Sequence, residues 1–269
     1  MRIARFSYGA SDPGIGAGFA FGAVEGEAGA EEVALIDGHP FGDITLTGVR
    51  LPLSGVRMLP PILPSKVVAI GKNYADHARE MGGEPPAEPV LFLKPSTSVI
   101  GPGSPIVYPA LSDRVEYEGE LAVVIGRLCR EVPVDRAAEV ILGYTCANDV
   151  TARDLQRRDG QWARAKGFDT FCPIGPWITT GLDANNLAIS TTLNGEVKQA
   201  STTSMLLHDI ATLVAYVSAV MTLLPGDVLL TGTPAGVGPM EPGDQVAVTI
   251  EGIGTLTNPV VGANGGGSR

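Results

Sequence analysis

The sequence predicts a predominantly β protein of the α+β class, with a few helices beside its sheets. Two observations carry this prediction. Short apolar runs recur along the chain, and turns rich in glycine and proline separate them, with 35 Gly and 21 Pro among 269 residues. Frequent chain-breaking residues between short apolar segments are typical of sheets and not of helical bundles.

A boundary is predicted near residue 60. Residues 59–65 contain three prolines, too many for a helix or a central strand, and are interpreted as a linker. The linker separates a small β-rich N-terminal domain, residues 1–58, from a main domain, residues 66–261, and the glycine-rich tail 262–269 is predicted to be disordered. Three strands are predicted in the N-terminal domain: Met1–Tyr8, Gly18–Val24 and Glu32–Ile36.

In the main domain, apolar runs and alternating patterns predict strands, whereas helical spacing and capping residues predict helices. The predicted strands are Lys66–Gly71, Val90–Lys94, Ser98–Ile100, Val115–Ile125, Tyr144–Ala147, Ile178–Thr180, Ile189–Asn194, Val228–Thr231, Gln245–Glu251 and Gly254–Asn258. The predicted helices are Tyr74–Met81 capped by Asn73, Val134–Leu142, a helix from Thr151 as its cap to Arg158, and Thr203–Met221.

The net charge and the cysteine content limit which binding partners and which cellular compartment are expected for this chain. The chain has 19 basic and 29 acidic residues, a net charge of −10. An acidic surface repels nucleic acid and anionic membranes, so neither is a predicted partner. The apolar stretch Leu206–Leu224 is too polar to span a bilayer, and no secretory signal is visible at the start. Three widely spaced cysteines fit no disulfide framework, so a cytoplasmic location is expected.

Three acidic residues alternate along one predicted strand. Glu116, Glu118 and Glu120 are two residues apart, and a period of two places side chains on one face of a strand. Because like charges repel one another, such a row faces either water or a cation. Spacing alone leaves both interpretations open.

The position of Asp149 favours the interpretation in which the acidic residues face a cation. It follows a short apolar strand and precedes a predicted helix start, a junction where functional sites are often built. Carboxylates are hard oxygen ligands that suit Mg²⁺, Mn²⁺ or Ca²⁺ and not zinc. A simple turn or capping role for Asp149 is the alternative.

Other polar residues are candidates for chemistry. His77 and Glu80 are three apart on a predicted helix, so they form either a surface pair or an acid–base pair. The glycine-rich loop Gly232–Gly238 lacks the Lys-Ser/Thr of a phosphate-binding loop, which argues against nucleotide binding. The backbone N–H groups of this loop and the Thr233 hydroxyl are candidates for gripping a carboxylate.

Four ordered motifs resemble the fumarylacetoacetate hydrolase family, and the match runs from about Lys66 to Pro259. The resemblance implies a mixed, coiled β-roll flanked by helices, and a homodimer. The motifs are Gly71-Lys72-Asn73-Tyr74-Ala75-Asp76-His77, Val115-Glu116-Tyr117-Glu118-Gly119-Glu120-Leu121, Asn148-Asp149-Val150-Thr151-Ala152-Arg153-Asp154 and Gly226-Asp227-Val228-Leu229-Leu230-Thr231-Gly232-Thr233-Pro234.

The resemblance also implies roles for individual residues. Metal ligands are expected among the acidic residues and hold Mg²⁺ or Mn²⁺, for which Ca²⁺ can substitute in crystals. A second set of residues is expected to shuttle protons or activate water, and a third set is expected to contact the substrate. The metal ligands are Glu118, Glu120 and Asp149, with Glu116 in a supporting role; the catalytic residues are His77, Glu80 and Lys166; the substrate-binding residues are Gln156, Arg153, Gly232 and Thr233.

The expected activity is metal-dependent chemistry on a small 2-oxo or enol carboxylic acid through a metal-stabilised enolate. Within the family, the chain most resembles bacterial 2-hydroxyhepta-2,4-diene-1,7-dioate isomerases, whose relatives decarboxylate oxaloacetate. Hydrolysis of a C–C bond in an acylpyruvate, such as fumarylpyruvate or acetylpyruvate, is the alternative. A non-catalytic, metal-stabilised binding protein is the alternative from another class.

Overall fold

The computed structural model describes residues 1–9, 18–27 and 29–263, and strands dominate them. The strands are β1 (Arg2–Tyr8), β2 (Gly18–Glu25), β3 (Glu32–Ile36), β4 (Leu46–Pro52), β5 (Arg57–Met58), β6 (Val67–Gly71), β7 (Val90–Lys94), β8 (Val99–Ile100), β9 (Ile106–Tyr108), β10 (Val115–Tyr117), β11 (Gly119–Ile125), β12 (Ile141–Asn148), β13 (Thr151–Ala152), β14 (Cys172–Thr179), β15 (Ala188–Leu193), β16 (Glu196–Thr202), β17 (Val228–Leu230), β18 (Gly238–Pro239), β19 (Gln245–Ile250) and β20 (Gly254–Gly262). The α-helices are α1 (Ala75–Glu80), α2 (Arg153–Asp159), α3 (Ala163–Lys166) and α4 (Ile210–Val220), and 3₁₀ turns occupy Leu53–Gly55, Ser96–Ser98, Val134–Val140 and Thr203–Met205.

One large mixed sheet organises the molecule. Its strands follow the order β4-β3-β2-β1-β14-β12-β11-β17-β6-β7, with β5 beside β1 and β8 beside β14. Most neighbours are antiparallel, whereas β17 and β6 run parallel, as do β8 and β14. The predicted α+β class with a mixed sheet is confirmed. The N-terminal strands extend this same sheet, because β1 pairs with β14 at Arg2 and Thr179.

A second layer packs on one face of the large sheet. The five-stranded sheet β16-β15-β19-β20-β9 contacts β11, β12 and β14, and helix α4 contacts the turn at Val134–Val140. Apolar side chains fill the space between them and exclude water, which is the main stabilising contribution to such a core. Fully buried members of this core include Leu121, Val123, Leu213, Val217 and Leu229.

The prediction of one continuous strand over Val115–Ile125 is wrong. The chain leaves a three-stranded sheet, β13-β10-β18, at Tyr117 and enters the large sheet at Gly119. Between the strands, the N–H of Glu118 donates to the side-chain oxygen of Asn148 at 2.9 Å and so leaves the ladder. A Cβ on Gly119 would stand 2.0 Å from the Thr191 hydroxyl oxygen, so the crossing requires a residue without a side chain.

The predicted helix Thr203–Met221 is shorter than expected. It begins at Ile210, where the Asp209 carboxylate caps it by accepting from the Thr212 N–H at 2.8 Å. The preceding residues are held in another conformation, because the Asn73 side chain bonds both the N–H and the carbonyl of His208. Tertiary contacts therefore override the helical spacing of the sequence.

Three smaller predictions also need correction. The helix predicted at Val134–Leu142 is a 3₁₀ turn that ends at Val140, because Ile141 already pairs with strand β11. Asn73 does not cap α1, whose N-cap is Tyr74. Thr151 does not cap α2 either: it lies in β13, and its hydroxyl donates to the Asp149 carbonyl at 2.8 Å.

The chain between the two predicted domains has little regular structure. Leu59 donates to the Arg5 carbonyl at 2.9 Å, and Ile62 is buried in the core. At the other end, Gly262 is the last residue of β20, so the prediction of a disordered tail is wrong at that residue. Residues 264–269 of the predicted tail lie outside the described residues. Among the residues described, no helix is long and apolar enough to cross a membrane.

A pair of substitutions on helix α4 tests the core. Leu213 is fully buried, whereas Val220, on the same helix, is 56% exposed. We expect Leu213→Ala to lower the free energy of unfolding by about 2–5 kcal/mol, because it removes buried methyl groups and leaves a cavity. Val220→Ala serves as the control and should cost less than about 0.5 kcal/mol. Urea unfolding of both variants measures the difference, and equal losses would contradict this packing.

Candidate active site

Three carboxylates converge at the end of the large sheet. Glu118 lies between β10 and β11, Glu120 is on β11, and Asp149 directly follows β12. One oxygen atom from each lies within 4.8 Å of the other two, and all three side chains are buried. Backbone pairing sets this geometry, because the Asp149 N–H donates to the Glu118 carbonyl at 2.8 Å.

Buried cations neutralise two of these carboxylates. The Lys166 Nζ lies 2.7 Å from Glu118 Oε2 and 2.6 Å from Asp149 Oδ2. The Lys94 Nζ lies 2.5 Å from Asp149 Oδ1 and is fully buried. The guanidinium of Arg153 pairs with Glu118 from the other side. Such charge-assisted hydrogen bonds are the condition under which ionised groups remain inside a protein.

Glu120 differs from its two neighbours. Its Oε2 accepts the Gly232 N–H at 2.7 Å, and among the described residues no basic side chain forms an ion pair with it. Burial raises the pKa of Glu120 well above its usual value, and the carboxylates of Asp149 and Glu118 raise it further. Burial would also raise the pKa of Glu118, but Lys166 and Arg153 outweigh this effect and hold that pKa below its usual value.

The group of carboxylates fits a divalent cation. Three hard oxygen donors converge, and one of them, Glu120, forms no ion pair with the described part of the chain. A cation beside Glu120 would supply that charge and relieve the repulsion from Asp149 and Glu118. Carboxylate oxygens without imidazole or thiolate favour Mg²⁺, Mn²⁺ or Ca²⁺.

Glu116 is joined to the metal candidates through an arginine. It is buried, and its carboxylate accepts from Arg153 Nε at 2.6 Å and from Arg114 Nε at 2.5 Å. Arg153 in turn pairs with Glu118 and donates to Gln156 Oε1 at 2.6 Å. The structure thus places Glu116 beside the candidate ligands and makes Arg153 the contact that orients both Glu118 and Gln156.

His77 and Glu80 lie on the short helix α1, at the edge of the same pocket. The two side chains are 3.1 Å apart, from His77 Nδ1 to Glu80 Oε2, and His77 is 5% exposed. Glu80 also accepts the Gly236 N–H at 3.0 Å, which attaches α1 to the glycine-rich loop. The carboxylate therefore has two contacts that hold it beside the imidazole.

In this structure the two predicted groups of the glycine-rich loop make contacts within the protein. The Gly232 N–H donates to Glu120, as described above, and the Thr233 hydroxyl donates to the Gly119 carbonyl at 2.8 Å. The Thr233 hydroxyl also accepts from Gln199 Nε2 at 2.8 Å. Gly232 thus contacts a carboxylate and Thr233 contacts the backbone between Glu118 and Glu120, whereas their contact with a substrate stays a prediction.

A cavity of about 170 Å³ connects these groups to solvent. Its walls combine the polar residues above with apolar side chains that shield the deep end. Phe92 and Trp162 meet edge to face with ring centroids 5.3 Å apart, and the Lys166 ammonium lies 4.9 Å from the centre of the Phe92 ring. The remaining apolar lining comes from Ile70 and Met81.

The structure brings every predicted site residue except Glu80 and Gly232 directly to the cavity wall, and those two contact lining residues. Sequence reasoning missed Lys94 and the pairing of Asn73 with the Thr231 carbonyl, at 2.8 Å. The signal for Lys94 was a single cation at the end of the apolar run Val90–Leu93. Asn73 gave no comparable signal, because its partners are 135 and 158 residues away.

Comparisons with known proteins agree with this architecture. The family described as "Fumarylacetoacetate (FAA) hydrolase C-terminal" matches residues 66–261, and "Rv2993c-like, N-terminal" matches residues 1–61. The chain belongs to the fumarylacetoacetate hydrolase family. It is 58% identical to Protein Rv2993c of Mycobacterium tuberculosis, across 97% of this chain and 98% of that protein. The resemblance inferred from the four motifs is thereby confirmed, and the chain is an enzyme of this family.

Solved structures of named enzymes share the fold. A 5-carboxymethyl-2-hydroxymuconate delta-isomerase from Mycobacterium smegmatis is 58% identical, with a TM-score of 0.89 over 97% of this chain and 100% of the other. A 2-hydroxyhepta-2,4-diene-1,7-dioate isomerase from Mycobacterium marinum is 54% identical, with a TM-score of 0.90 over 98% and 99%. These family members are therefore similar to this chain along almost its whole length.

More distant relatives carry other activities in their names. The mitochondrial oxaloacetate tautomerase Fahd2a of Rattus norvegicus is 43% identical, across 78% of this chain and 71% of that protein. A fumarylpyruvate hydrolase from Pseudomonas aeruginosa, solved with Mn²⁺ and pyruvate, is 36% identical with a TM-score of 0.71, over 76% of this chain and 91% of the other. Family membership alone therefore leaves the reaction open.

Metal binding by the three carboxylates is testable without any substrate. We expect Glu120→Gln to weaken Mn²⁺ binding at least about tenfold, because a direct ligand should matter no less than an outer contact, which costs 10–100-fold. Titration calorimetry with Mn²⁺ measures this change. Glu139→Gln is the control, since Glu139 is exposed and paired with Arg136. Equal Mn²⁺ affinity of the wild-type chain and Glu120→Gln would exclude Glu120 as a ligand.

Proposed function

We propose that this enzyme uses a divalent cation to isomerise a small 2-oxo or enol carboxylic acid by moving a proton. The expected substrates resemble 2-hydroxyhepta-2,4-diene-1,7-dioate and oxaloacetate. Decarboxylation of oxaloacetate would use the same site. The supporting observation is the position of the His77–Glu80 pair at the same cavity as the three buried carboxylates. The names of the isomerases and the tautomerase among the relatives support the same assignment.

Glu118, Glu120 and Asp149 would hold the cation, Mg²⁺ or Mn²⁺. When bound, the cation supplies a positive charge that polarises the keto group of the substrate and lowers the cost of negative charge on its oxygen. Its ligands are already oriented by the protein, since Lys94 holds Asp149 and Arg153 holds Glu118. Such preorganisation reduces the rearrangement required at the time of reaction.

His77 is the proposed acid–base residue. A carboxylate beside Nδ1 favours the tautomer in which Nδ1 carries the proton and donates a hydrogen bond to Glu80. Nε2 is then the free base, which takes a proton from the substrate carbon beside the keto group and returns it to carbon or oxygen. Because Glu80 is also bonded to Gly236, the position of the imidazole depends on contact between α1 and the glycine-rich loop.

Lys166 supplies a second positive charge at the reacting end. Burial would lower the pKa of Lys166, but the carboxylates of Asp149 and Glu118 outweigh burial and raise it, so the amine stays protonated. Its ammonium also lies against the Phe92 ring, on the wall of the cavity. From there it can donate to a substrate carboxylate or enolate oxygen, while Phe92 and Trp162 limit the access of water.

Acylpyruvate hydrolysis is the second candidate, and the similarity to the fumarylpyruvate hydrolase favours it. The same His77 would then take a proton from water, and the water would attack the distal ketone. The groups that hold the substrate are identical in the two candidates, so only the target of His77 differs. The expected homodimer and cytoplasmic location stay predictions from the sequence.

Replacing His77 separates proton transfer from metal binding. We expect His77→Ala to keep its Mn²⁺ affinity, because His77 is not among the three candidate ligands, and to lose about 10²–10⁴-fold in isomerase rate. Decarboxylation should fall less, since bulk water can protonate the product. Calorimetry and parallel rate assays measure both effects, with His39→Ala, in the loop between β3 and β4, as control. Equal losses in both reactions would restrict His77 to holding α1 in place.

A panel of substrates distinguishes the candidate functions. Oxaloacetate, acetylpyruvate and 2-hydroxyhepta-2,4-diene-1,7-dioate are assayed with Mg²⁺ and with Mn²⁺, and kcat/KM is compared across them. We expect isomerisation of oxaloacetate or of the dienoate to have the highest kcat/KM. A higher value for acetylpyruvate cleavage would establish the hydrolase alternative. Absence of turnover for all three, with Mn²⁺ bound, would contradict the proposed function.

A further inference from the structure

Two basic side chains line the mouth of the cavity and have no part in the chemistry above. They are Lys72, which follows strand β6, and Arg157, on helix α2. Lys72 is half-buried and Arg157 is exposed. Within the described part of the chain, every ion pair of the acidic group uses other cations, and neither Lys72 nor Arg157 pairs with an acid.

The position of Arg157 follows from helical geometry. Residues three and four apart lie on one face of a helix, so Arg153, Gln156 and Arg157 face the cavity together. The three become more exposed in that order, from the Arg153 side chain on Glu118 to Arg157 in solvent. Four residues rise about 6 Å along a helix, so Arg157 is displaced by about that distance along α2 from Arg153, which contacts Glu118.

Lys72 directly follows strand β6 and has an uncommon backbone conformation. Its φ is 58°, in the left-handed region that residues other than glycine rarely adopt. Its Nζ lies beside Gly83, 3.2 Å from where a Cβ on that residue would stand. The ammonium therefore lies against the segment that follows α1, whose Met81 also lines the cavity. Strained residues of this kind are concentrated at ligand-binding sites.

We propose that Lys72 and Arg157 determine specificity, by binding a second carboxylate at the end of the substrate remote from Glu118, Glu120 and Asp149. The inference rests on the proposed function, since it assumes that a 2-oxo acid binds with its reacting end at those carboxylates. Gln156 contributes a neutral donor between the two ends: its Oε1 accepts from Arg153, which leaves its amide NH₂ for the ligand. The enzyme then prefers 2-oxo dicarboxylates to 2-oxo monocarboxylates of the same length.

The affinities of the wild-type enzyme for two 2-oxo acids test this preference directly. 2-Oxoglutarate and 2-oxopentanoate share one five-carbon 2-oxo skeleton and differ only in a terminal carboxylate or methyl group. In calorimetry with the Mg²⁺-loaded enzyme, we expect 2-oxoglutarate to bind roughly tenfold more tightly or better, because each hydrogen bond to a charged group adds about that factor. Equal affinity of the wild-type enzyme for the two acids would overturn the proposal.

Substitutions identify the residues responsible. Lys72→Met and Arg157→Met should each remove most of the preference by weakening 2-oxoglutarate binding, while 2-oxopentanoate binding stays unchanged. Lys72→Arg should restore the preference, since it keeps the charge. Arg158→Met is the matched control, because Arg158 is the next residue on α2, lies outside the cavity wall and faces Asp159 at 3.7 Å.

The outcomes separate this proposal from the proposed function. An equal loss in Arg157→Met and Arg158→Met would mean that general surface charge sets the preference, and it would overturn the specific roles. Selective binding by a wild-type enzyme that turns over none of the 2-oxo acids would support Lys72 and Arg157 as a dicarboxylate site and reject the isomerase function. Turnover of 2-oxo acids without selective binding of 2-oxoglutarate would support the isomerase function and reject the dicarboxylate site.

Discussion

Compensation of charge away from water is the constraint on which the rest of the pocket depends. An ion transferred from water to a protein interior loses several kcal/mol of hydration, so each buried charge here requires a partner. Four buried carboxylates meet three buried basic groups, and the half-exposed Arg114 also pairs with Glu116. Among the described residues, Glu120 is then the one carboxylate of this group without an ion-pair partner. These groups are Glu116, Glu118, Glu120 and Asp149 on the acidic side and Lys94, Arg153 and Lys166 on the basic side.

The fold is arranged to bring these charges together from distant parts of the chain. Strand β7 carries Lys94, the end of β12 leads into Asp149, and the short helices α2 and α3 carry Arg153 and Lys166. The interruption at Glu118 has the same origin. At Glu118 the chain leaves one sheet and enters another, so the Glu118 N–H donates to the Asn148 side chain instead of a strand partner. The Glu118 carboxylate pairs with Lys166 at this crossing.

The cavity is electrostatically divided along its length. Its wall combines the buried acidic group, the partly buried Phe92 and Trp162, and two basic residues without acidic partners among the described residues, the half-buried Lys72 and the exposed Arg157. Relatives with this architecture bear the names of isomerases, a tautomerase and a hydrolase. In the proposed mechanism, one cation site would serve isomerisation and hydrolysis alike, because each reaction develops negative charge on a keto oxygen. Differences in reaction then depend on the position of the base and on the groups near the mouth.

The sequence by itself determined the class of fold, most strand positions and the identity of the acidic residues, because apolar periodicity and local motifs involve residues close along the chain. Only the tertiary structure decided where Val115–Ile125 breaks, where α4 begins and which cation meets which carboxylate. Those outcomes depend on contacts between distant residues: Gly119 against Thr191, Asn73 against His208, and Lys94 against Asp149. The physical reason is that a buried charge or backbone group takes the partner that the complete fold brings within hydrogen-bonding distance, and local sequence carries no record of that partner.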